Sequence, residues 1–309
     1  MTVTTPPLPG DGVGIARRRE NFPLAWLCGP RLRAGRLAVY GFCRLVDDLG
    51  DEYAGDRGTA LHAAEAQLRA AAAGAATHPV FTALQPLFAG GMPVDPFARL
   101  IEANRVDQRV DVYDTWAAVD GYCALSAAPV GEIVLRLEHA ATEERLRLSA
   151  SACAGLQLAN HWQDLAEDAR RRRCYVPREL LDRHRVSVAQ LAAGVAAPGF
   201  DAMLAECLAA ARARLAGGWP LVAALGRRRL AVEVAGFIAH GAAACDAVEA
   251  AGPALLRIRP SAGAAGRAGA ALTALRTLFA PAPPPRSLPR GKDVGESPSV
   301  LRGSAESRT

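Results

Sequence analysis

VYGFCRLVDDLGDE, residues 39–52, joins an apolar helical pattern to a cluster of acidic residues. Asp47 and Asp51 are four residues apart, so on a helix their side chains are neighbours on one face. Two like charges at that spacing destabilise a helix by roughly 0.2–0.5 kcal/mol, so the pair favours a bound cation. The other positions predict a helix buried on most sides, which indicates that the carboxylates face a pocket. The apolar positions include Val39, Phe42, Leu45 and Val46.

A solvated helix end is the competing interpretation of these acids. Asp47, Asp48, Asp51 and Glu52 would then form an exposed C-terminal turn. Acidic side chains at a helix C-terminus oppose the helix dipole, which counts against that interpretation. Taken alone, the segment leaves both interpretations open.

A second acidic helix is predicted by QLANHWQDLAED, residues 157–168. It sets Asn160, Asp164 and Asp168 at successive four-residue intervals, and therefore on one face of an otherwise apolar helix. Hard oxygen ligands suit Mg²⁺, which takes one or two carboxylates together with water and phosphate oxygens. Two such helices facing one another predict a Mg²⁺-dependent site for a diphosphate, whose charge as a leaving group the metal would neutralise.

Cationic side chains accompany both acidic segments. Arg44 lies one turn before Asp47 and Asp48, and the run from Arg170 to Arg173 follows Asp168 after a single alanine. A solvated helix end is the alternative for the start of that run, because the helix dipole favours cations there.

The composition of the 309-residue chain predicts an all-α fold. Half of the residues are hydrophobic, alanine and arginine dominate, and the alternation typical of strands is scarce. The predicted helices cover residues 31–52, 57–73, 96–110, 115–138, 142–170, 177–183, 188–194, 200–215, 227–251 and 260–279.

Three regions divide the chain. Residues 1–20 are predicted to be a flexible leader, residues 21–280 one helical domain and residues 281–309 a disordered tail, since both ends have too few apolar residues to offset the entropy of ordering. The stretch from Ala70 to Val94 has the length of a membrane span, but its glycines and prolines predict short helices and turns instead.

Charge and cysteine usage exclude several classes of protein. The net charge of +5 is modest and no basic stripe is interleaved with aromatic residues, so no nucleic-acid partner is expected. A weak, peripheral contact with anionic membranes is expected instead. Seven cysteines without a C-x-x-C pair predict reduced thiols and a cytoplasmic protein.

Taken together, the two acidic segments and their flanks resemble the two signatures of the squalene/phytoene synthase family of trans-isoprenyl diphosphate synthases. The first runs from Tyr40 and Arg44 to Glu52, and the second from Asn160 through Arg173 and Tyr175 to Pro177. Further similarity lies at residues 20–23, 104–107 and 122–131, and the resemblance covers about residues 18–280.

The resemblance implies an isoprenoid-synthase-type helical bundle around a central hydrophobic tunnel. It implies that Mg²⁺ and diphosphate are bound by Asp47, Asp48, Asp51, Asn160, Asp164 and Asp168. Tyr40 and Arg44 would line the catalytic cavity, with Arg44, Asp47, Asp51 and Asp164 taking part in catalysis. Arg44, Tyr122, Arg173 and Tyr175 would bind the substrate.

Within the family, the segments at 20–23 and 126–131 most resemble the bacterial hopanoid-pathway branch. Its members convert presqualene diphosphate to hydroxysqualene beside a separate presqualene diphosphate synthase and a flavin-dependent reductase. The same aspartates would serve a condensation of two farnesyl diphosphates, so that step, or a squalene- or phytoene-type product, is the enzymatic alternative. A catalytically silent lipid-binding assembly factor is the other alternative, although both acidic segments are intact.

Two departures bear on the product. Leu125 and Ala128 stand where the branch is expected to carry a polar residue and an asparagine. His240 stands where carotenoid-type members often carry a tyrosine, which disfavours a phytoene-type product. No dinucleotide fingerprint is found that would supply a hydride, and capture of a cation by water needs none.

Overall fold

A computed structural model describes residues 30–279 of the chain. The predicted leader, the similarity at residues 20–23, Cys28 and the predicted tail lie outside the described residues. The helices are α1 (Pro30–Asp51), α2 (Arg57–Ala72), α3 (Pro79–Thr82), α4 (Gln85–Ala89), α5 (Asp95–Val106), α6 (Trp116–Ser126), α7 (Ala128–Leu137), α8 (Glu143–Gln163), α9 (Leu165–Arg170), α10 (Arg178–His184), α11 (Val188–Ala193), α12 (Phe200–Gly218), α13 (Pro220–Ala224), α14 (Arg228–Ala251) and α15 (Ala264–Phe279), with a 3₁₀ helix at Gly252–Leu256.

The all-α prediction is confirmed, because residues 30–279 contain no strand and only one isolated bridge, between Val112 and Cys174. Two predicted helices are divided. The predicted helix 115–138 breaks at Ala127, just before Pro129, whose missing N–H and rigid ring favour the start of a new helix. The predicted helix 142–170 is interrupted at Asp164.

The first acidic helix, α1, packs through its apolar side. Phe42 is fully buried and makes edge-to-face contacts with Phe81 and Phe97, at ring-centroid distances of 5.8 and 5.3 Å. This geometry is the favourable one for aromatic pairs. The helix is therefore fixed against α3 and α5.

The second acidic helix, α8, is the central helix of the larger core. Trp162 is fully buried and its indole Nε1 donates to the carbonyl of Cys207, 2.9 Å away on α12. α8 and α12 approach closely at Gly155, where an added Cβ would lie 2.7 Å from the backbone nitrogen of Leu215. Small residues therefore permit the helix contact that holds α8 in place.

A buried ion-pair network joins α1, α7 and α14. The guanidinium of Arg36 pairs with Glu138 at 2.7 Å and with Glu233, and Arg229 pairs with both acids. Arg36, Glu138 and Glu233 are almost completely buried. Removal of a single partner would leave a charge uncompensated in the interior, so the network fixes how these helices meet.

Within residues 30–279, two helical stretches are long and apolar enough to be candidate membrane spans, at 116–137 and 228–256. The first is the α6–α7 pair, which is broken at Ala127, and the second includes α14. Buried core helices pass the same test of length and composition, and 39% and 44% of the two windows are buried within the fold. Free thiols among the described residues include Cys123, Cys153, Cys174, Cys207 and Cys245.

Candidate active site

The two acidic helices meet at one cavity of about 270 Å³. Its lining residues are Asp47, Asp51, Leu100, Ala103, Asn104, Asp107, Tyr122, Ser126, Gln157, Asn160, His161, Asp164, Asp168, Arg171, Arg173 and Tyr175. Five of the six residues predicted to bind metal are in this set, together with three of the four predicted substrate-binding residues. The two acidic segments, which are over 100 residues apart in sequence, therefore form opposite walls of one polar cavity.

The end of α1 is stabilised by donors from neighbouring segments. Arg57 donates to the carbonyl of Asp51 at 2.8 Å, and Gln108 donates to that of Gly50 at 3.0 Å, so carbonyls left unpaired at the helix end are satisfied. Asn104 on α5 donates to Asp47 across 3.4 Å. An added Cβ at Gly50 would lie 2.1 Å from the amide oxygen of Asn104, so glycine permits this close approach.

Asp48 and Arg44 form an ion pair, and neither residue is among those that line the acidic cavity. Nη2 of Arg44 lies 2.7 Å from Oδ1 of Asp48 and 3.7 Å from Oε1 of Glu52. Asp47 and Asp51 face the cavity, whereas Asp48 faces Arg44 one turn earlier on α1.

The second acidic wall is bent at Asp164. This residue ends α8 and begins α9, and its carbonyl accepts the N–H of Asp168 at 2.8 Å. Asn160, Asp164 and Asp168 still line the same cavity. The carboxylate of Asp164 is held by both Nε and Nη2 of Arg259, and this hydrogen bonding raises the pKa of the guanidinium.

The segment after α9 places Arg173 and Tyr175 in the cavity. Cys174 donates its N–H to the carbonyl of Asp111 at 2.7 Å, which holds this short extended stretch against the loop before α6. Because side chains alternate along an extended chain, Cys174 enters the core while Arg173 and Tyr175 face the cavity. Burial raises the pKa of the Cys174 thiol to about 12, so it stays neutral.

A buried carboxylate is shared by two tyrosines at the base of the cavity. The hydroxyl of Tyr122 donates to Asp107 at 2.6 Å, and that of Tyr175 donates to it at 3.0 Å. Burial raises the pKa of Asp107, although the hydrogen bonds and the nearby Arg173 oppose this shift. Burial also raises the pKa of both tyrosines, which therefore remain hydrogen-bond donors.

His161 lies against this cluster. Its ring stacks on Tyr175 with centroids 3.5 Å apart and an angle of 16°, and its Nδ1 is 3.9 Å from Oδ2 of Asp168. Nε2 is buried without a hydrogen-bond partner in the described structure, as is the hydroxyl of Ser126. Both side chains line the acidic cavity, although these two polar atoms are themselves buried.

A second cavity, of about 190 Å³, adjoins the acidic one at Asp47 and contains Tyr40 and Arg44. It adjoins a third, almost entirely apolar cavity of about 140 Å³ through Val130 and Val134. The third cavity is lined by Val130, Gly131, Val134, Leu135, Ser149, Ala152, Cys153, Leu156, Leu221, Leu230, Glu233, Val234, Phe237 and Ile238. The acidic cavity therefore adjoins the second cavity, here called the intermediate cavity, and the intermediate cavity adjoins the third, apolar cavity.

The donor set of the acidic cavity fits Mg²⁺ held jointly by protein and phosphate. Between residues 30 and 279, no three His, Cys, Asp or Glu side chains cluster tightly enough to hold a metal unaided. Mg²⁺ is bound by one or two carboxylates, with water and phosphate oxygens completing its shell. Asp47 and Asp51 on one wall, and Asp164 and Asp168 on the other, supply that number of carboxylates on each side.

Several residues at this site were not assigned a role by the sequence. Arg259 is the clearest, because it follows a 3₁₀ helix and lies 95 residues from Asp164, with no motif to connect them. Asp107 belongs to a segment of family resemblance, but nothing in its spacing predicts two tyrosine donors. His161 lies within the second acidic segment without an assigned role, and the structure buries it against Tyr175.

Comparison with known proteins gives a consistent set of relatives. A family model for squalene/phytoene synthase matches residues 15–265. The hydroxysqualene synthase of Rhodopseudomonas palustris is 34% identical over 224 residues, which cover 72% of this chain and 76% of that protein. The presqualene diphosphate synthase of the same organism is 30% identical over 217 residues, which cover 67% of this chain and 76% of that protein.

Solved structures agree on the architecture. One similar structure is the crystal structure of squalene synthase HpnC from Alicyclobacillus acidocaldarius. Its sequence is 43% identical to this one, and the two structures superpose with a TM-score of 0.71 over 76% of this chain and 90% of that chain. A dehydrosqualene synthase solved in complex with a ligand is 22% identical, with a TM-score of 0.73 over 84% of this chain and 93% of that one, and shows the shared fold.

Proposed function

Because the chain belongs to the squalene/phytoene synthase family and so acts on isoprenoid diphosphates, we propose that it converts presqualene diphosphate to hydroxysqualene. The balanced reaction consumes one water and releases diphosphate and a proton. The observation that carries this proposal is the succession of three adjoining cavities. The diphosphate would occupy the acidic cavity, the reacting carbons the intermediate one, and hydrocarbon the apolar one.

The residues of the acidic cavity would bind and orient the diphosphate. Mg²⁺ held by Asp47, Asp51, Asn160, Asp164 and Asp168 would neutralise the charge that develops as the carbon–oxygen bond breaks, whereas Asp48, which faces Arg44, is left out of this ligand set. Arg173 would pair with phosphate oxygens, since its guanidinium is protonated and faces the cavity. Tyr175 would keep Arg173 and its segment in place through its hydrogen bond to Asp107.

The intermediate cavity would hold the cyclopropylcarbinyl cation while it rearranges. Tyr40 presents an aromatic ring there and Arg44 is turned towards Asp48, so the cation would meet an aromatic face near the departing diphosphate. Val130 and Val134 exclude water from the apolar side. Water would therefore reach the cation from the polar side, where Tyr122 and the hydroxyl of Ser126 line the cavity.

The relatives favour the hydrolytic step over the condensing one. Hydroxysqualene synthases are the more similar of the two kinds of relative described above, at 34% against 30% identity. Condensation of two farnesyl diphosphates to presqualene diphosphate is the competing outcome. Both acidic walls are complete, which disfavours the catalytically silent lipid-binding protein.

The proposed reaction requires one enzyme before this one and one after it, and a cytoplasmic location is part of the proposal. A prenyl-coupling enzyme must supply presqualene diphosphate, and a reductase must consume the hydroxysqualene. Both the prenyl chains and the product are membrane-soluble, so a peripheral membrane contact on the inner face of the membrane accompanies the proposal.

The test is incubation of the purified protein with Mg²⁺ and presqualene diphosphate, without a reductant, followed by mass analysis of the product. Hydroxysqualene that is absent with Asp47→Ala and Asp164→Ala would support the proposal. Formation of presqualene diphosphate from farnesyl diphosphate, with no turnover of presqualene diphosphate, would assign the condensing step instead.

A further inference from the structure

Arg259 forms a forked ion pair with Asp164, one of the two aspartates on the second acidic wall. Both Nε and Nη2 of the guanidinium donate to the carboxylate, with Nη2 3.1 Å from Oδ2. A fork of this kind uses both carboxylate oxygens. In this arrangement Asp164 has no oxygen left that is not already paired with a cation.

The segment that carries Arg259 is hydrogen-bonded to the second acidic wall. It connects the 3₁₀ helix to α15. Gln163 donates to the carbonyl of Pro260 at 2.9 Å, and Arg170 donates to the carbonyl of Leu256 at 2.9 Å. These bonds fix the backbone on both sides of Arg259, so the position of its guanidinium relative to Asp164 is built into the fold.

The guanidinium nevertheless has room to leave the carboxylate. The side chain of Arg259 is 55% exposed, against 27% for Asp164. It also lines a smaller cavity of about 200 Å³ that adjoins the acidic cavity at Asp164. Because the backbone is anchored and the side chain is exposed, the guanidinium can move away from Asp164 while the segment that carries it stays folded.

We propose that Arg259 is a positioning residue that makes metal binding at Asp164 depend on diphosphate. A metal ion that binds Asp164 without diphosphate must compete with Arg259 for the carboxylate, and a weakened fork leaves the guanidinium with the more distant charges of Glu167 and Asp168. When diphosphate arrives with the metal, the guanidinium has phosphate oxygens in the adjoining acidic cavity as a new acceptor. Metal and diphosphate therefore bind cooperatively, and a bare metal ion is disfavoured.

The inference rests on the proposed function only in taking Asp164 as a metal ligand and diphosphate as the bound group. It does not depend on which prenyl reaction the enzyme performs. Its test accordingly uses metal and inorganic diphosphate, without a prenyl substrate, and its failure is distinguishable from the absence of hydroxysqualene.

The experiment measures Mn²⁺ binding by equilibrium dialysis, with and without inorganic diphosphate and with correction for the complex of the two in solution. Arg259→Gln is expected to bind Mn²⁺ alone about two- to fivefold more tightly than the wild type, the factor that corresponds to loss of a partly exposed ion pair. The gain in Mn²⁺ affinity on adding diphosphate is expected to be smaller in Arg259→Gln. Asp164→Asn is expected to weaken Mn²⁺ binding under both conditions.

Arg183→Gln is the matched control, because it removes the same charge from a surface pair with Glu206 that lies outside the acidic cavity. It is expected to leave both affinities at wild-type values. Arg259→Lys keeps the charge without the fork, and is expected to fall between the wild type and Arg259→Gln. Unchanged or weaker Mn²⁺ binding by a folded Arg259→Gln would overturn the proposal, as would an equal gain on adding diphosphate in variant and wild type. If Arg259→Gln fails to fold, Arg259→Lys decides by the same comparison.

Discussion

Nη1 of Arg173 donates to Oδ1 of Asp51 across 2.6 Å, although the two residues are 122 positions apart in sequence. This bond joins the segment after the second acidic wall to the end of the first. Burial alone would lower the pKa of Arg173, but the carboxylates of Asp51 and Asp107 raise it above its ordinary value. A permanent cation therefore offsets the carboxylates before any ligand is bound, and lies where a diphosphate would meet it.

Removal of this cation should weaken the handling of the diphosphate. Arg173→Gln is expected to lower kcat/KM for the isoprenoid diphosphate by roughly 10- to 100-fold, the range for loss of a charge-assisted hydrogen bond in a partly buried site. Arg172→Gln is the matched control, because Arg172 is 85% exposed and pairs with Asp111 on the surface. Steady-state kinetics of the two variants would contradict the prediction if both lost activity equally, or if neither did.

The close packing of α8 on α12 should be sensitive to a single methyl group. At Gly155 the added Cβ of alanine would lie 2.7 Å from the backbone nitrogen of Leu215, so Gly155→Ala is expected to destabilise the fold by about 1–3 kcal/mol. Gly121→Ala is its control, since nothing lies within 4 Å of a Cβ on that exposed face of α6. There the better helix propensity of alanine is expected to stabilise the fold by about 0.5–1 kcal/mol. Urea unfolding would refute the prediction if both variants changed stability in the same direction.

The sequence predicted the elements of this enzyme more fully than the contacts between them. Helical periodicity and the four-residue spacing of acids are local properties, and both acidic helices were located correctly to within a few residues. The break at Asp164 was missed, because its two flanks continue the same apolar pattern and contain neither glycine nor proline. Arg259 and the two tyrosine donors to Asp107 depend on long-range packing, which no local pattern encodes.

The passage between the intermediate and apolar cavities should depend on Val134, which lines both. A tryptophan there would fill space that the proposed function gives to hydrocarbon, so Val134→Trp is expected to lower turnover at least tenfold. Mn²⁺ and inorganic diphosphate should still bind as in the wild type, because Val134 does not line the acidic cavity. Val134→Ala keeps the passage open and is expected to retain most activity. Wild-type turnover by Val134→Trp, measured by product mass analysis, would show that the hydrocarbon takes another route.

The buried carboxyl of Asp107 should make stability depend on pH. Burial raises its pKa in the folded state above the ordinary value of 3.8, so the folded protein binds this proton more tightly than the unfolded chain does. The protonated carboxyl contributes its full stability at pH values below the pKa that Asp107 has in the unfolded chain. This contribution is lost as the pH rises through the pKa that Asp107 has in the folded protein. The free energy of unfolding of the wild type, relative to that of Asp107→Asn, is therefore expected to fall with rising pH above about pH 4.

The hydrogen bond from Tyr122 opposes this shift, so its removal provides an internal check. In Tyr122→Phe the carboxyl loses a donor that stabilises its charged form, and its folded pKa should rise further. The pH-dependent loss of stability should then extend to higher pH than in the wild type. Urea unfolding across the acidic to neutral range measures both effects. The prediction is wrong if the difference in the free energy of unfolding between wild type and Asp107→Asn stays constant with pH, or if it shifts in favour of the wild type as the pH rises. Either result would show that Asp107 is charged in the folded protein without a cost in stability. The two tyrosines and Arg173 would then compensate its burial completely.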